Sequence, residues 1–176
     1  MNVCVFCGSA AGARPLYLDS ARALGAGLAA AGHTLVYGGA SVGTMGALAD
    51  AALAASGRVI GVIPSSLVDR EIAHRGVELV VVETLAARKE RMFEHSDAYI
   101  SLPGGFGTLD ETFEVLTLAQ LGGLPKPVLL VDLEGFYARL VAFLDHAVQE
   151  GLLQPAHRAF VRTVPDVAGA LASLVP

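Results

Sequence analysis

Short runs of β-branched and apolar residues alternate with longer helix-forming stretches along the whole chain, and few folds accommodate that pattern. Residues 2–7, 34–37, 58–63, 77–82, 98–102 and 127–131 read as strands. Residues 14–31, 44–56, 85–96, 108–121 and 135–149 read as helices. Residues 65–76 read as a loop or short helix, and 155–160 and 167–174 as short terminal helices. Strands that are apolar throughout must be covered on both faces, which implies a parallel sheet between helical layers. Right-handed crossovers then give an α/β, doubly wound, Rossmann-like parallel sheet flanked by helices. No linker, repeat or low-complexity segment interrupts the pattern, so residues 1–176 are read as a single domain.

Composition narrows the function classes. The chain has 176 residues, 53% hydrophobic and 16% charged, the opposite of a disordered composition. Its longest apolar runs fall well short of the roughly 18 residues a membrane helix needs. The N-terminus lacks the basic region of a signal peptide. A cytoplasmic protein without a membrane partner is expected. The net charge is −5, and the 12 basic residues are spread along the chain, which argues against a nucleic-acid partner. An anionic ligand must therefore be held locally. Cys4 and Cys7 form a C-x-x-C within an apparent buried strand, with side chains on opposite faces, which favours two buried thiols over a redox pair. The five histidines share no metal-ligand spacing, and no metal or other cofactor is expected.

In a doubly wound sheet, ligands bind beyond the carboxyl ends of the strands. Three loops meet there: Cys7-Gly8-Ser9, the glycine-rich stretch 38–46, and the turn 103–108. The last two lead from a strand through glycines into a helix N-terminus, where backbone amides and the helix dipole favour an anion. Ser9 and Thr108 add hydroxyls. A phosphate-bearing ligand follows. Neither a P-loop nor a strict dinucleotide fingerprint is present. Arg88 and Lys89 stand near a helix start, where cations are unfavourable without an anionic or polar partner. Glu111 reads as a first-turn acid of the next helix, kept ionised by the same dipole and able to face ribose hydroxyls or a cationic sugar.

The segment Leu102-Pro103-Gly104-Gly105-Phe106-Gly107-Thr108-Leu109-Asp110-Glu111, preceded by Arg88-Lys89, resembles the Lonely Guy (LOG) family of cytokinin riboside 5′-monophosphate phosphoribohydrolases. That family carries an R-K pair followed by P-G-G-x-G-T-x-x-E, and was long labelled as lysine decarboxylases. Phe6-Cys7-Gly8-Ser9, Tyr37-Gly38-Gly39 with Gly43 and Met45-Gly46, and Gly61-Val62-Ile63-Pro64 add to the match. The chain departs from the pattern at Ala40, Thr44 and residues 85–87. The resemblance implies hydrolysis of the N-glycosidic bond of N6-modified adenosine 5′-monophosphates, or of AMP, to free base and ribose 5-phosphate. It implies Arg88 and Glu111 as the catalytic pair and Gly105, Phe106, Gly107 and Thr108 as the phosphate cradle, closed by Gly8 and Ser9. Gly39, Gly104, Leu109 and Asp110 belong to the same implied substrate-binding set. Lys89, Thr117 and Glu71 match ligand-lining positions, the last two contributed across a homodimer interface. The implied partner is a small nucleoside monophosphate. A non-catalytic carrier of a nucleotide or cofactor on the same fold is the alternative. A pyridoxal-phosphate decarboxylase is a weaker rival, because Lys89 and Lys126 are the only lysines.

Overall fold

The computed structural model describes residues 1–68, 73–123 and 128–174. In chain order it contains β1 (Asn2–Phe6), α1 (Pro15–Ala30), β2 (Thr34–Tyr37), α2 (Gly43–Ala54), β3 (Val59–Pro64) and α3 (Ser65–Val68). Next come β4 (Glu78–Val82), α4 (Leu85–Glu94), β5 (Ala98–Ser101), α5 (Phe106–Gln120) and β6 (Val128–Val131). A 3₁₀ turn (Leu133–Gly135), α6 (Ala138–Gln149), α7 (Pro155–Arg158), β7 (Val161–Val164) and α8 (Val167–Ala172) complete the chain.

All seven strands pair in parallel, in the order β4-β3-β2-β1-β5-β6-β7. The chain winds outward from β1 to β4, then returns to place β5 on the other side of β1. The loops leaving β1 and β5 thus diverge at the switch point, where doubly wound sheets bind ligands. Alternate residues feed two cores. Val3, Val5, Leu35, Tyr37 and Val131 pack beneath α1, α2 and α8, while Cys4, Phe6, Val36, Tyr99 and Leu130 pack with Met92, Phe93, Val115 and Leu144 of α4, α5 and α6. Cys4 and Cys7 accordingly lie in different cores as free, buried thiols. Among the described residues no helix is long and apolar enough to cross a membrane.

The structure corrects the sequence reading at three places. First, β7 lies where no strand was expected. It is a four-residue edge strand whose Arg162 and Thr163 are exposed, so it carries little apolar signal. Second, β4 reads as a buried strand but forms the other edge, with Val81 54% exposed. An apolar run signals β structure without saying whether a second neighbour exists. Third, α5 begins at Phe106, two residues before the expected start, with extended Gly105 as its N-cap. Glu111 is therefore in the second turn, and it is buried rather than exposed.

Candidate active site

A cavity of about 210 Å³ opens above the switch point. One wall is the start of α5, contributing Gly105, Phe106, Gly107 and Thr108; another is the loop after β1, contributing Gly8, Ser9 and Ala10. Arg88 and Glu111 form the inner end, with Cys7 and Met45 beside them.

The α5 wall is fixed from below. Tyr137 Oη donates to Leu102 O (2.7 Å) and lies 3.2 Å from Ser101 Oγ. Ser101 in turn bonds Thr112 Oγ1 (2.9 Å), whose hydroxyl donates to Thr108 O (2.6 Å). This buried hydroxyl chain ties the first turns of α5 to the end of β5, and satisfied buried polar networks are rigid. Thr108 itself is 2% exposed, and its Oγ1 has no hydrogen-bond partner. A buried hydroxyl in that state is destabilising by about 1–3 kcal/mol, and it is available to a ligand oxygen.

The β1 loop is held by Thr44. Gly8 N donates to Thr44 Oγ1, and Thr44 Oγ1 donates to Gly8 O, both at 2.9 Å. Gly43 lets α2 start this close: its φ is +61°, and a Cβ there would lie 2.3 Å from Ser9 C. Burial pushes the neighbouring Cys7 thiol up to about 12, against a smaller opposing effect of a hydrogen bond with Thr44. Such a thiol stays protonated and is a poor nucleophile.

Arg88 lies on the fourth residue of α4, whose N-cap Thr84 accepts from Ala87 N (3.0 Å). Its guanidinium donates from Nε to Val62 O and from Nη2 to Gly38 O, each at 3.1 Å. These carbonyls sit at the carboxyl ends of β3 and β2, where strand carbonyls point out of the sheet. The partner that the sequence reading asked for is therefore partly backbone. A Cβ at Gly38 would fall 1.9 Å from Arg88 Nη2, so the guanidinium occupies the space a side chain would take. Nη2 also lies 3.7 Å from Glu111 Oε1, an ion pair with both side chains about nine-tenths buried.

Outside this pair, Lys89 Nζ bridges Asp110 (2.9 Å) and Glu114 of α5. Burial opposes its charge, but the two carboxylates outweigh that and raise its pKa. Lys89 and Asp110 thus meet each other rather than lining the cavity, and Leu109 packs against the core. Gly39 has φ +78° and its carbonyl accepts from His74 N (3.0 Å), which fixes the loop behind Arg88. Gly104 packs on Thr108, where a Cβ would lie 2.0 Å from Oγ1. Thr117 is far along α5; its hydroxyl donates to Phe113 O (2.7 Å), and it lines a separate hollow with Leu144 and His157. Glu71 and Lys126 lie outside the described residues. The sequence reading missed Gly38, Thr44, Met45 and Val62 as site-forming positions. Only Thr44, a hydroxyl ending a glycine-rich loop, carries a legible signal.

The fold and cavity define a doubly wound α/β protein of nucleotide-binding type, with an anion-accepting helix start facing a buried guanidinium–carboxylate pair. A family model described as "Possible lysine decarboxylase" matches residues 45–174. Over 166 residues the chain is 47% identical to cytokinin riboside 5′-monophosphate phosphoribohydrolase LOG1 of Arabidopsis thaliana, covering 94% of this chain and 78% of the relative. It is 46% identical to the probable phosphoribohydrolase of the same kind, LOGL9, of Oryza sativa subsp. japonica, covering 94% and 73%. The molybdenum cofactor carrier protein of Chlamydomonas reinhardtii has a similar structure, with a TM-score of 0.73 and 26% identity, covering 98% of this chain and 94% of the carrier. The chain belongs to the LOG family of cytokinin riboside 5′-monophosphate phosphoribohydrolases.

Proposed function

We propose that this protein hydrolyses the N-glycosidic bond of adenosine 5′-monophosphates, N6-modified or plain, releasing the free base and ribose 5-phosphate. The observation that carries the reading is the buried Arg88–Glu111 pair, 3.7 Å apart, in one cavity with the start of α5. The identities of 47% and 46% to phosphoribohydrolases support the same activity.

In this mechanism the phosphate sits on the amides at the start of α5, with the Ser9 and Thr108 hydroxyls beside it. That remote anchor holds the sugar against Glu111. As the C1′–N9 bond breaks, its electron pair leaves with the base and positive charge builds on the sugar ring. The Glu111 carboxylate stabilises that charge and takes a proton from the attacking water. Arg88, fixed by two carbonyls, orients Glu111 and donates hydrogen bonds to the departing base or to ribose. Its guanidinium does not give up a proton at ordinary pH. The base takes its proton from solvent or from Glu111, and ribose 5-phosphate carries the new hydroxyl at C1′.

A homodimer in the cytoplasm belongs to this proposal, with Thr117 and Glu71 meeting the ligand of the partner subunit. Lys89 acts as a strut between α4 and α5, which keeps Arg88 opposite Glu111. Its raised pKa leaves little free amine and speaks against a Schiff-base role in decarboxylation. The carrier reading has one observation in its favour, the likeness to the molybdenum cofactor carrier. Incubation with AMP and with isopentenyladenosine monophosphate separates the two. Release of ribose 5-phosphate is expected, and binding without turnover supports the carrier.

A further inference from the structure

We propose that Phe106 is the stacking surface for the purine ring, and that it binds the ring without reading the substituent on N6. The proposal rests on the nucleotide reading above. Phe106 is the first residue of α5 and is 94% exposed, more than any other large apolar side chain among the described residues. Glycines flank it on both sides, and a Cβ built at Gly105 or Gly107 meets nothing within 4 Å. No neighbouring side chain therefore crowds the ring, and its faces are open to a ligand.

The cavity next to it is suited to the other part of the nucleotide. Arg88, Glu111, Ser9 and Thr108 give it polar walls that match sugar and phosphate. Its volume of about 210 Å³ is below the roughly 300 Å³ at which cavities begin to enclose a drug-sized ligand. With the sugar phosphate inside, the base has to emerge at the rim, where Phe106 stands. An aromatic ring offers the base its π-face, and stacking of this kind tolerates changes at the edge of the base. Purines with and without an N6 group are then held alike.

The test compares wild type with Phe106→Ala, Phe106→Leu and Phe106→Tyr, using AMP and isopentenyladenosine monophosphate as substrates and ribose 5-phosphate as product inhibitor. Phe106→Ala should raise KM for both nucleotides about tenfold and by the same factor, within the range for loss of one base–aromatic stack. Its inhibition by ribose 5-phosphate, which has no base, should stay within twofold of wild type. Phe106→Tyr should restore KM, and Phe106→Leu should not. Parallel loss of nucleotide and ribose 5-phosphate affinity would mean a damaged cradle and overturn the proposal. So would an unchanged KM, or a change of oligomeric state by light scattering, which would mean that the ring packs on another copy. Wild type that binds AMP calorimetrically without cleaving it defeats the hydrolase reading alone, and the Kd values of the same variants then decide on Phe106. Wild type that does not bind AMP overturns both.

Discussion

Arg88 of α4 and Glu111 of α5 face each other at 3.7 Å inside the protein, and neither depends on the other alone. Arg88 is also bound to two strand-end carbonyls, while the adjacent Lys89 ties the outer side of the same two helices through Asp110 and Glu114. The pair is thus held in place from both sides, as a catalytic pair must be before substrate arrives.

Removing the carboxylate separates chemistry from folding only if the shape is kept. Glu111→Gln should lower kcat by about 100-fold or more, the scale for loss of one well-placed electrostatic group, with near-native circular dichroism. Glu111→Ala should in addition destabilise the protein by roughly 1–3 kcal/mol, because a buried guanidinium loses a partner. The urea midpoints of the two variants, measured alongside wild type, check this.

Gly38→Ala should evict the guanidinium. Gly38 has no positive φ, so alanine meets no backbone strain there; the conflict is the 1.9 Å approach of its Cβ to Arg88 Nη2. Activity should fall at least tenfold, while the far-ultraviolet circular dichroism stays that of wild type. Wild-type kinetics in this variant would show that Arg88 need not sit between Val62 O and Gly38 O.

Thr44→Val keeps shape and removes the hydroxyl that serves both Gly8 N and Gly8 O. A loss of about 1–3 kcal/mol is expected for the orphaned backbone groups. KM for the nucleotide should rise, because the Gly8–Ser9 loop is no longer fixed. Steady-state kinetics and a urea melt read the two effects separately.

Much of this architecture is legible in the amino-acid pattern, and the failures have physical causes. Central strands such as β1 and β6 are apolar on both faces, so they are evident; β7 has one neighbour and exposed Arg162 and Thr163, so it is not. Arg88 and Glu111 are found by motif, but their burial is not, because it arises from α4 and α5 closing over the strand ends. Lys89 carries the same charge one residue along and points at Asp110 and Glu114 instead. One step around a helix separates a cavity residue from a surface strut. The role of Gly38 lies in a carbonyl and in an absent side chain, neither of which a residue-type pattern records.

Stability should decline at alkaline pH. Burial holds the Cys7 thiol at about 12, from an ordinary 9.0, and also raises Cys4, Tyr37, Tyr99 and Tyr137. Below about pH 9 the thiols, like the tyrosines, are protonated whether the chain is folded or not. Above it the unfolded chain releases protons that the folded chain retains, so unfolding becomes progressively easier towards pH 12. Urea midpoints should be flat from pH 7 to 9 and then fall. Cys7→Ala should reduce the fall beyond pH 9.

The central claim is tested most directly by following ribose 5-phosphate release from AMP with wild type and Glu111→Gln side by side, at equal protein and with folding verified. Steady multiple-turnover release by wild type, reduced at least 100-fold in Glu111→Gln, is the predicted result. Equal rates in the two proteins, or no release by wild type from either AMP or isopentenyladenosine monophosphate, would contradict the account.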